Sequence, residues 1–386
     1  MRKYTMVGAL VCILSYTNVH SQNTTDSKFG KGISVVASDS SFSLRFKTRF
    51  QTLYTGTYDE GTDSYKDNVM IRRARLKFDG FAYTPRLKYK VELGLSNRDT
   101  GGSIPQANNT ANIILDAVLK YNFHGRWSVW FGQTKLPGNI ERVISSASLQ
   151  LVDRSNLNSR FNIDRDAGIQ LRYESPRFRS STAISKGEGR NITAANMGGY
   201  DYTQRFEWFP FGQFTGKGDY FGADLKRESA PRLMLGVTYD YNDRAARERG
   251  QLGSFLSEER TLETWFLDAH FKYRGFSTMV EYANKKAHNG PAIVDETGAT
   301  IGSFYTGSGI NIQSGYLFKN NIELAARYTG VEPDKETGKD KNDQYTVGLS
   351  KYIVGHALKI QSDITLIDEE GADSQYMYRF QVEFSL

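Results

Sequence analysis

SFSLRFKTRFQTLY, residues 41–54, alternates with a period of two. Phe42, Leu44, Phe46, Phe50 and Tyr54 take even positions, and Arg45, Lys47 and Arg49 take odd ones. Successive side chains of a strand point to opposite faces. As a strand, the segment has one apolar face and one face carrying three cations. The same period recurs along the chain. Ala74, Leu76 and Phe78 oppose Arg73, Arg75 and Lys77. Leu87, Tyr89, Val91, Leu93 and Leu95 oppose Arg86, Lys88, Lys90 and Glu92. Ile113, Leu115, Ala117, Leu119 and Tyr121 form a further apolar row, and Leu233 to Tyr241 another. The last strand sets Tyr376, Tyr378, Phe380, Val382, Phe384 and Leu386 against Gln375, Met377, Arg379, Gln381 and Glu383. No helical period persists after residue 40.

The connections between these rows alternate in length. Short ones fall at 83–86, 123–126, 175–178, 274–275, 319–321 and 354–357. Long polar ones fall near 55–67, 97–111, 134–164, 187–201, 243–260, 287–302, 332–343 and 368–374. Such alternation is the mark of an up-and-down antiparallel barrel with tight turns on one rim. The pattern predicts an all-β fold of about 16 strands. Between 202 and 231 two segments read as strands. An even count admits one, and YTQRFEWF (202–209) is the better, leaving 211–231 as a long turn on the short-turn rim.

So wide a barrel cannot fill its interior with apolar side chains. The apolar rows therefore face outward, to lipid, around a polar lumen, and closure removes the unpaired strand edges that lipid cannot satisfy. Aromatic residues gather near strand ends, as at Trp127, Tyr173, Trp208, Tyr241 and Tyr378. A Lys or Arg facing lipid at the midplane costs about 2–4 kcal/mol. Three on one strand would cost roughly 6–12 kcal/mol, comparable with the ~5–15 kcal/mol stability of a domain. Arg45, Lys47 and Arg49 must face water. Arg73, Arg75, Lys77, Arg86, Lys88 and Lys90 join them on one basic inner wall, which attracts anions.

The chain of 386 residues begins like an exported protein. Arg2 and Lys3 precede a short apolar run, Met6–Leu14, and Val19-His20-Ser21 reads as a cleavage site, so residues 1–21 are expected to be a signal peptide. The run is too short to span a bilayer as a helix. Cys12, the one cysteine, lies inside it, and the mature chain has no disulfide. Residues 22–40 then form a periplasmic lead-in and 41–386 the barrel. The formal charge is +6, and +4 once Arg2 and Lys3 are gone. It is unevenly spread, since residues 321–386 hold 7 Lys/Arg against 12 Asp/Glu. No nucleic-acid motif accompanies the basic pI.

Residues 131–171 read FGQTKLPGNIERVISSASLQLVDRSNLNSRFNIDRDAGIQL. Through Phe131-Gly132-Gln133, Pro137, Glu141-Arg142, Ser145-Ser146, Arg154-Ser155, Phe161-Asn162 and Arg165-Asp166-Ala167-Gly168, this segment resembles the phosphate-selective porin O and P family, in the branch common in Bacteroidetes-type bacteria. The likeness is weaker but continuous from about residue 41 to the end. It implies a 16-stranded, usually trimeric barrel in the outer membrane of a Gram-negative bacterium, whose third extracellular loop folds into the pore. It also implies passage of phosphate or related small anions along inward-facing cations. Residues 134–164 sit where that constriction loop should be, and carry Lys135, Glu141, Arg142, Arg154 and Arg160, with Arg165 and Asp166 just beyond. Glu141-Arg142 and Arg165-Asp166 read as ion pairs that pack the loop.

The expected partners are thus membrane lipid, small anions and two further copies of the chain. The alternatives are a non-selective diffusion porin and a structural or adhesive barrel acting through its loops. Catalysis has little support. Of the four histidines after the leader, His270 shares a face with Asp268 and Thr264, but such spacing alone makes no triad. No Cys/His spacing suits a metal, and no cofactor motif is present.

Overall fold

The computed structural model describes residues 28–100, 104–109 and 111–386. The expected signal peptide and the start of the lead-in lie outside them. The strands are β1 (Ile33–Val36), β2 (Ser43–Asp59), β3 (Ser64–Ala82), β4 (Thr84–Gly94), β5 (Ile114–His124), β6 (Trp127–Lys135), β7 (Arg165–Glu174), β8 (Phe178–Ser185), β9 (Asp201–Trp208), β10 (Arg232–Arg247), β11 (Phe255–Tyr273), β12 (Phe276–Ala287), β13 (Ala292–Val294), β14 (Thr300–Ser303), β15 (Gly307–Leu317), β16 (Ile322–Pro333), β17 (Asn342–Val354), β18 (Leu358–Glu369) and β19 (Gln375–Ser385). Sixteen of them, β2–β12 and β15–β19, pair antiparallel with their neighbours. β19 returns to β2, from Gln375 opposite Asp59 to Ser385 opposite Arg49, and closes the barrel. β1 pairs with the start of β2, and β13 and β14 form a small hairpin within a loop. Among the described residues no helix is long and apolar enough to cross a membrane.

The predicted parity holds around the barrel. Phe50, Leu119, Phe131, Phe206, Leu267, Leu349, Ile364 and Phe380 are exposed on the outside. Outward aromatics meet across strands, Trp127 with Tyr173 at 4.9 Å and Tyr239 with Trp265 at 4.6 Å. At the turn between β11 and β12, Arg274 and Gly275 have φ of 49° and 92°. Left-handed residues of this kind match the twist of the flanking strands.

Three sequence expectations need correction. The connection near 55–67 shrinks to residues 60–63, and that near 243–260 to 248–254, because their polar residues continue the strands beyond the apolar band. Leu115 is buried inside rather than sharing the outer row of β5. A register shift opposite Glu92 and Leu93 turns it inward. On β3, Arg73 pairs with Gln51 but Thr52 pairs with Ile71, leaving Arg72 in a bulge. Upstream of the bulge Val69 and Ile71 point outward, and downstream Arg73 points in.

Between β6 and β7, residues 136–164 carry two short helices, α1 (Ile140–Val143) and α2 (Asn156–Phe161). Ser155 caps α2, its Oγ accepting from Asn158 N at 3.1 Å. The segment is bonded to inward-facing groups of distant strands. Glu281 on β12 accepts from Glu141 N at 2.8 Å and Asn139 Nδ2 at 3.0 Å. Asp363 on β18 accepts from Val152 N at 3.0 Å. Ser350 and Gln361 donate to Gln150 O, and Lys359 donates to Leu149 O. Leu136, Leu157, Phe161 and Ile163 bury themselves against Ala183, Phe266, Ala283, Tyr305 and Val331.

A second segment enters from the opposite rim. YTQRFEWF supplies β9, which ends at Trp208, so the long turn expected over 211–231 begins at 209. This turn does not stay outside. Phe209 and Phe214 pack with Ile140, Ile144 and Leu149. Gly222 N donates to Ser148 O at 2.8 Å. Lys272 on β11 donates to the carbonyls of Gly218, Phe221 and Ala223 at 2.7–2.8 Å. Together the two segments occupy the side of the lumen next to β11–β18.

Candidate functional site: an arginine-lined passage

On the other side, against β2–β8, two water-accessible chambers meet. One, of about 710 Å³, opens toward the short turns and is lined by residues from Arg126 and Lys217 up to Arg75. The other, of about 480 Å³, opens toward the long loops at Arg98 and Arg190. The first lining holds twelve Lys/Arg against three carboxylates, and the second nine against three. Four residues belong to both linings: Arg75, Arg142, Arg154 and Arg165. These four mark the junction of the chambers, and all are arginines.

Each is held from behind. Arg75 on β3 donates to both carboxylate oxygens of Asp99, at 3.0 and 2.7 Å, and lies 3.3 Å from Glu92. A fork-to-fork pair of this kind fixes the guanidinium plane. Arg165 at the start of β7 is 3.3 Å from Asp116, which also takes Lys90 at 2.8 Å. Arg142 pairs with Asp164. Arg154 has no carboxylate partner among the described residues. It donates to Glu141 O at 2.9 Å and Ile144 O at 2.7 Å. Burial, then the charge of Arg73, pushes Arg154 down to about 9. Burial with the charges of Arg154 and Arg165 holds Arg142 well below the ordinary guanidinium value. Counted with Lys90 and Lys135 beside them, the four arginines outnumber Asp99, Glu92, Asp116 and Asp164, and an anion there would relieve the repulsion.

The strand register stacks like charges further. On β2 and β3, Lys47 lies opposite Lys77 and Arg49 opposite Arg75. On β4 and β5, Lys88 lies opposite Lys120. Like charges directly opposite each other destabilise a sheet, so this wall is not explained by stability.

The predicted residues divide. Arg75, Lys88, Lys90, Lys135, Arg142, Arg154 and Arg165 line the first chamber, and Arg73, Arg75, Arg142, Arg154 and Arg165 the second. Arg45, Lys47, Arg49, Lys77 and Arg86 line neither, and Arg45 and Lys77 instead line a third chamber of about 570 Å³ with Lys88, Lys90 and Lys120. Arg45 and Lys77 share Asp79, and Lys47 reaches Gly30 O at 3.4 Å. Arg49 is buried beneath the loop and donates to Ser146 Oγ at 3.0 Å. Arg86 is exposed two residues into β4, beside the turn at Tyr83. Arg160 is exposed over the Tyr305 ring. The opening triplet therefore faces water at the lower wall or grips the loop, and does not form the junction.

The two expected loop pairs are not made. Neighbours in sequence point apart, in a strand by half a turn and in a helix by 100°. Glu141 instead takes Ser155 N at 2.9 Å and lies 3.8 Å from Arg327. Asp166 accepts from Gly187 N and Ala167 N. Both acids anchor backbone and line neither chamber. Sequence reasoning missed Lys120, Arg126, Arg172, Arg179 and Lys217 in the first chamber, and Arg72, Arg98, Arg190 and Arg379 in the second. Arg72 is visible only through the bulge, which lets it and Arg73 both reach Asp153, at 2.8 and 2.9 Å. No metal-binding cluster occurs among the described residues. Asp268 accepts from Nη1 and Nη2 of Arg205 at 2.7 and 2.8 Å, and His270 packs on Phe214, so these two form no relay.

A closed 16-strand barrel with a charged passage through it is the architecture of an outer-membrane porin. The family model for phosphate-selective porin O and P matches residues 42–375, and the chain belongs to that family. It is a channel protein of the Gram-negative outer membrane. Solved structures of like fold include the outer membrane channel DcaP of Acinetobacter baumannii, 13% identical, with 91% of this chain and 99% of that chain covered at a TM-score of 0.59. An anion-selective porin from Comamonas acidovorans is 11% identical, with 89% and 100% covered at 0.57. The trimer form of OmpT of Vibrio cholerae is 12% identical, with 90% and 100% covered at 0.56. Comparison with curated proteins finds no significant match.

Proposed function

We propose that this porin prefers anions and conducts phosphate or other small anionic solutes, with residues 134–164 as its constriction loop and the Arg75, Arg142, Arg154 and Arg165 cluster as its filter. The observation that carries this reading is that the two chambers share four residues and all four are arginines. Two unit charges 4 Å apart interact by about 1 kcal/mol in water and about 4 kcal/mol at an effective dielectric of 20. Several fixed cations along one narrowed path thus favour an anion without a deep well, so that it can leave as well as enter. The porin works as a homotrimer embedded in membrane lipid, a reading supported by the family and by the trimeric Vibrio cholerae structure. Export follows from the signal peptide at 1–21.

The test is the zero-current potential of the purified protein in a planar bilayer across a KCl gradient. The expected sign is that of chloride preference, and inorganic phosphate should reduce the chloride current. A potential of zero, or one of the cation-selective sign, contradicts the proposal.

A further inference from the structure

The three like-charged pairs on the inner wall are not equally compensated. Arg49 and Arg75 have Glu383, Asp99 and Glu92. Lys77 has Asp79. Lys88 and Lys120 lie directly opposite each other on β4 and β5, and neither side chain makes a hydrogen bond or ion pair among the described residues. Both line the 710 Å³ chamber. Lys120 is instead held over the Trp130 ring, with Nζ 3.6 Å from the centroid. Arg172, from β7 on the far side of Trp130, places its guanidinium 3.9 Å from the same centroid. Arg172 also donates to Gln170 Oε1 at 2.7 and 3.1 Å. A cation over a tryptophan face is attracted to it and fixed in place. Trp130 thus spaces two cations without neutralising either.

We infer that Lys88, Lys120, Trp130 and Arg172 form a subsite on the short-turn side of the constriction for a solute carrying two separated anionic groups. One group bridges the Lys88 and Lys120 ammonium groups and offsets their repulsion. The other takes the guanidinium edge of Arg172, which favours a planar oxyanion such as a carboxylate. Lys120 Nζ and the Arg172 guanidinium lie 3.6 and 3.9 Å from the Trp130 centroid, so the two cations are within about 7.5 Å of each other, a gap that a short dicarboxylate bridges. A single monovalent ion cannot satisfy both ends. A chamber of 710 Å³ has the size of a small-molecule site. The inference rests on the proposed anion pore, but the subsite lies away from the arginine junction and can be tested apart from it.

The probes are sodium glutarate, with two carboxylates, and sodium butyrate, with one. Added on the short-turn side, glutarate should block chloride current at a concentration about tenfold lower than butyrate, the equivalent of about 1.4 kcal/mol. Lys120→Met and Lys88→Gln should each abolish that advantage, so that glutarate blocks no better than butyrate. Calorimetric titration of the detergent-solubilised trimer with glutarate reads the same subsite without conduction. There too the variants should lose binding, while Trp130→Leu should weaken it. Heat-modifiable migration checks that each variant has folded. Equal potency of glutarate and butyrate on the wild type, or undiminished glutarate binding in both lysine variants, overturns the subsite. A wild-type potential without anion preference overturns the pore reading separately.

Discussion

The two sides of the lumen use the same strand alternation for opposite ends. Inward positions on β11–β18 hold Asp268, Glu281, Glu323, Ser350, Gln361 and Asp363, and each is hydrogen-bonded. Their partners are mostly main-chain groups and side chains of residues 139–153, which turn a polar wall into a docking surface. Inward positions on β2–β8 hold Arg73, Arg75, Lys88, Lys90, Lys120, Arg165, Arg172 and Arg179, and these line open chambers. The difference shows that a polar lumen face has no fixed meaning. Carboxylates and amides that meet backbone N–H and C=O groups hold a loop, while cations in excess of their carboxylates make a field.

Removing the docked loop should have the largest effect. Deletion of 139–160 should raise single-channel conductance severalfold in protein that still assembles, because the filled half of the lumen would open. Unchanged conductance in an assembled variant would mean that the loop does not limit the passage. Next in size is loss of one anchor. Glu281 is fully buried and accepts three hydrogen bonds from loop and wall. Glu281→Ala leaves those donors unsatisfied, at about 1–3 kcal/mol each. It should produce noisy openings of higher conductance, read in the same bilayers, with no change in the sign of selectivity.

Smaller effects concern the field alone. The Debye length falls from about 8 Å at 0.15 M salt to about 3 Å at 1 M. Anion preference should decline over that range if it arises from wall charges, and stay flat if it arises from a tight pocket. The smallest effect is on pH. Guanidinium groups stay cationic across the working range even where burial lowers their pKa. Selectivity should therefore be level from about pH 6 to pH 9, and Arg154→Gln should lower it by the same amount throughout.

Most of the barrel was legible because lipid outside and water inside impose a period of two on every strand. The opening stretch shows the limit of that rule. Arg45, Lys47 and Arg49 do face inward, yet they spread from the rim to the underside of the loop, since residues two apart on a strand lie about 7 Å apart along it. Parity names a face, not a height. Lys120 and Arg172 escaped notice because each is one cation within an apolar or mixed row, and their meaning arises only across strands, around Trp130. The bulge at Arg72 is likewise a property of the pairing with β2. Residues 211–231 were read as a long turn, which in the structure begins at 209, and its inward course depends on Phe209 and Phe214 finding the loop, a contact between segments far apart in sequence.

The central claim is that the β2–β8 wall and the arginine junction, not the docking wall, set ion preference. The most direct measurement is the zero-current potential across a KCl gradient for two variants side by side. Arg142→Gln with Arg154→Gln removes two junction charges. Lys359→Gln removes a fully buried docking-wall charge that donates to Leu149 O and lies 3.4 Å from Glu383. The account predicts that the first loses the larger part of the anion preference while the second keeps the wild-type potential. A wild-type potential in the assembled junction variant, or an equal shift in both, would contradict it.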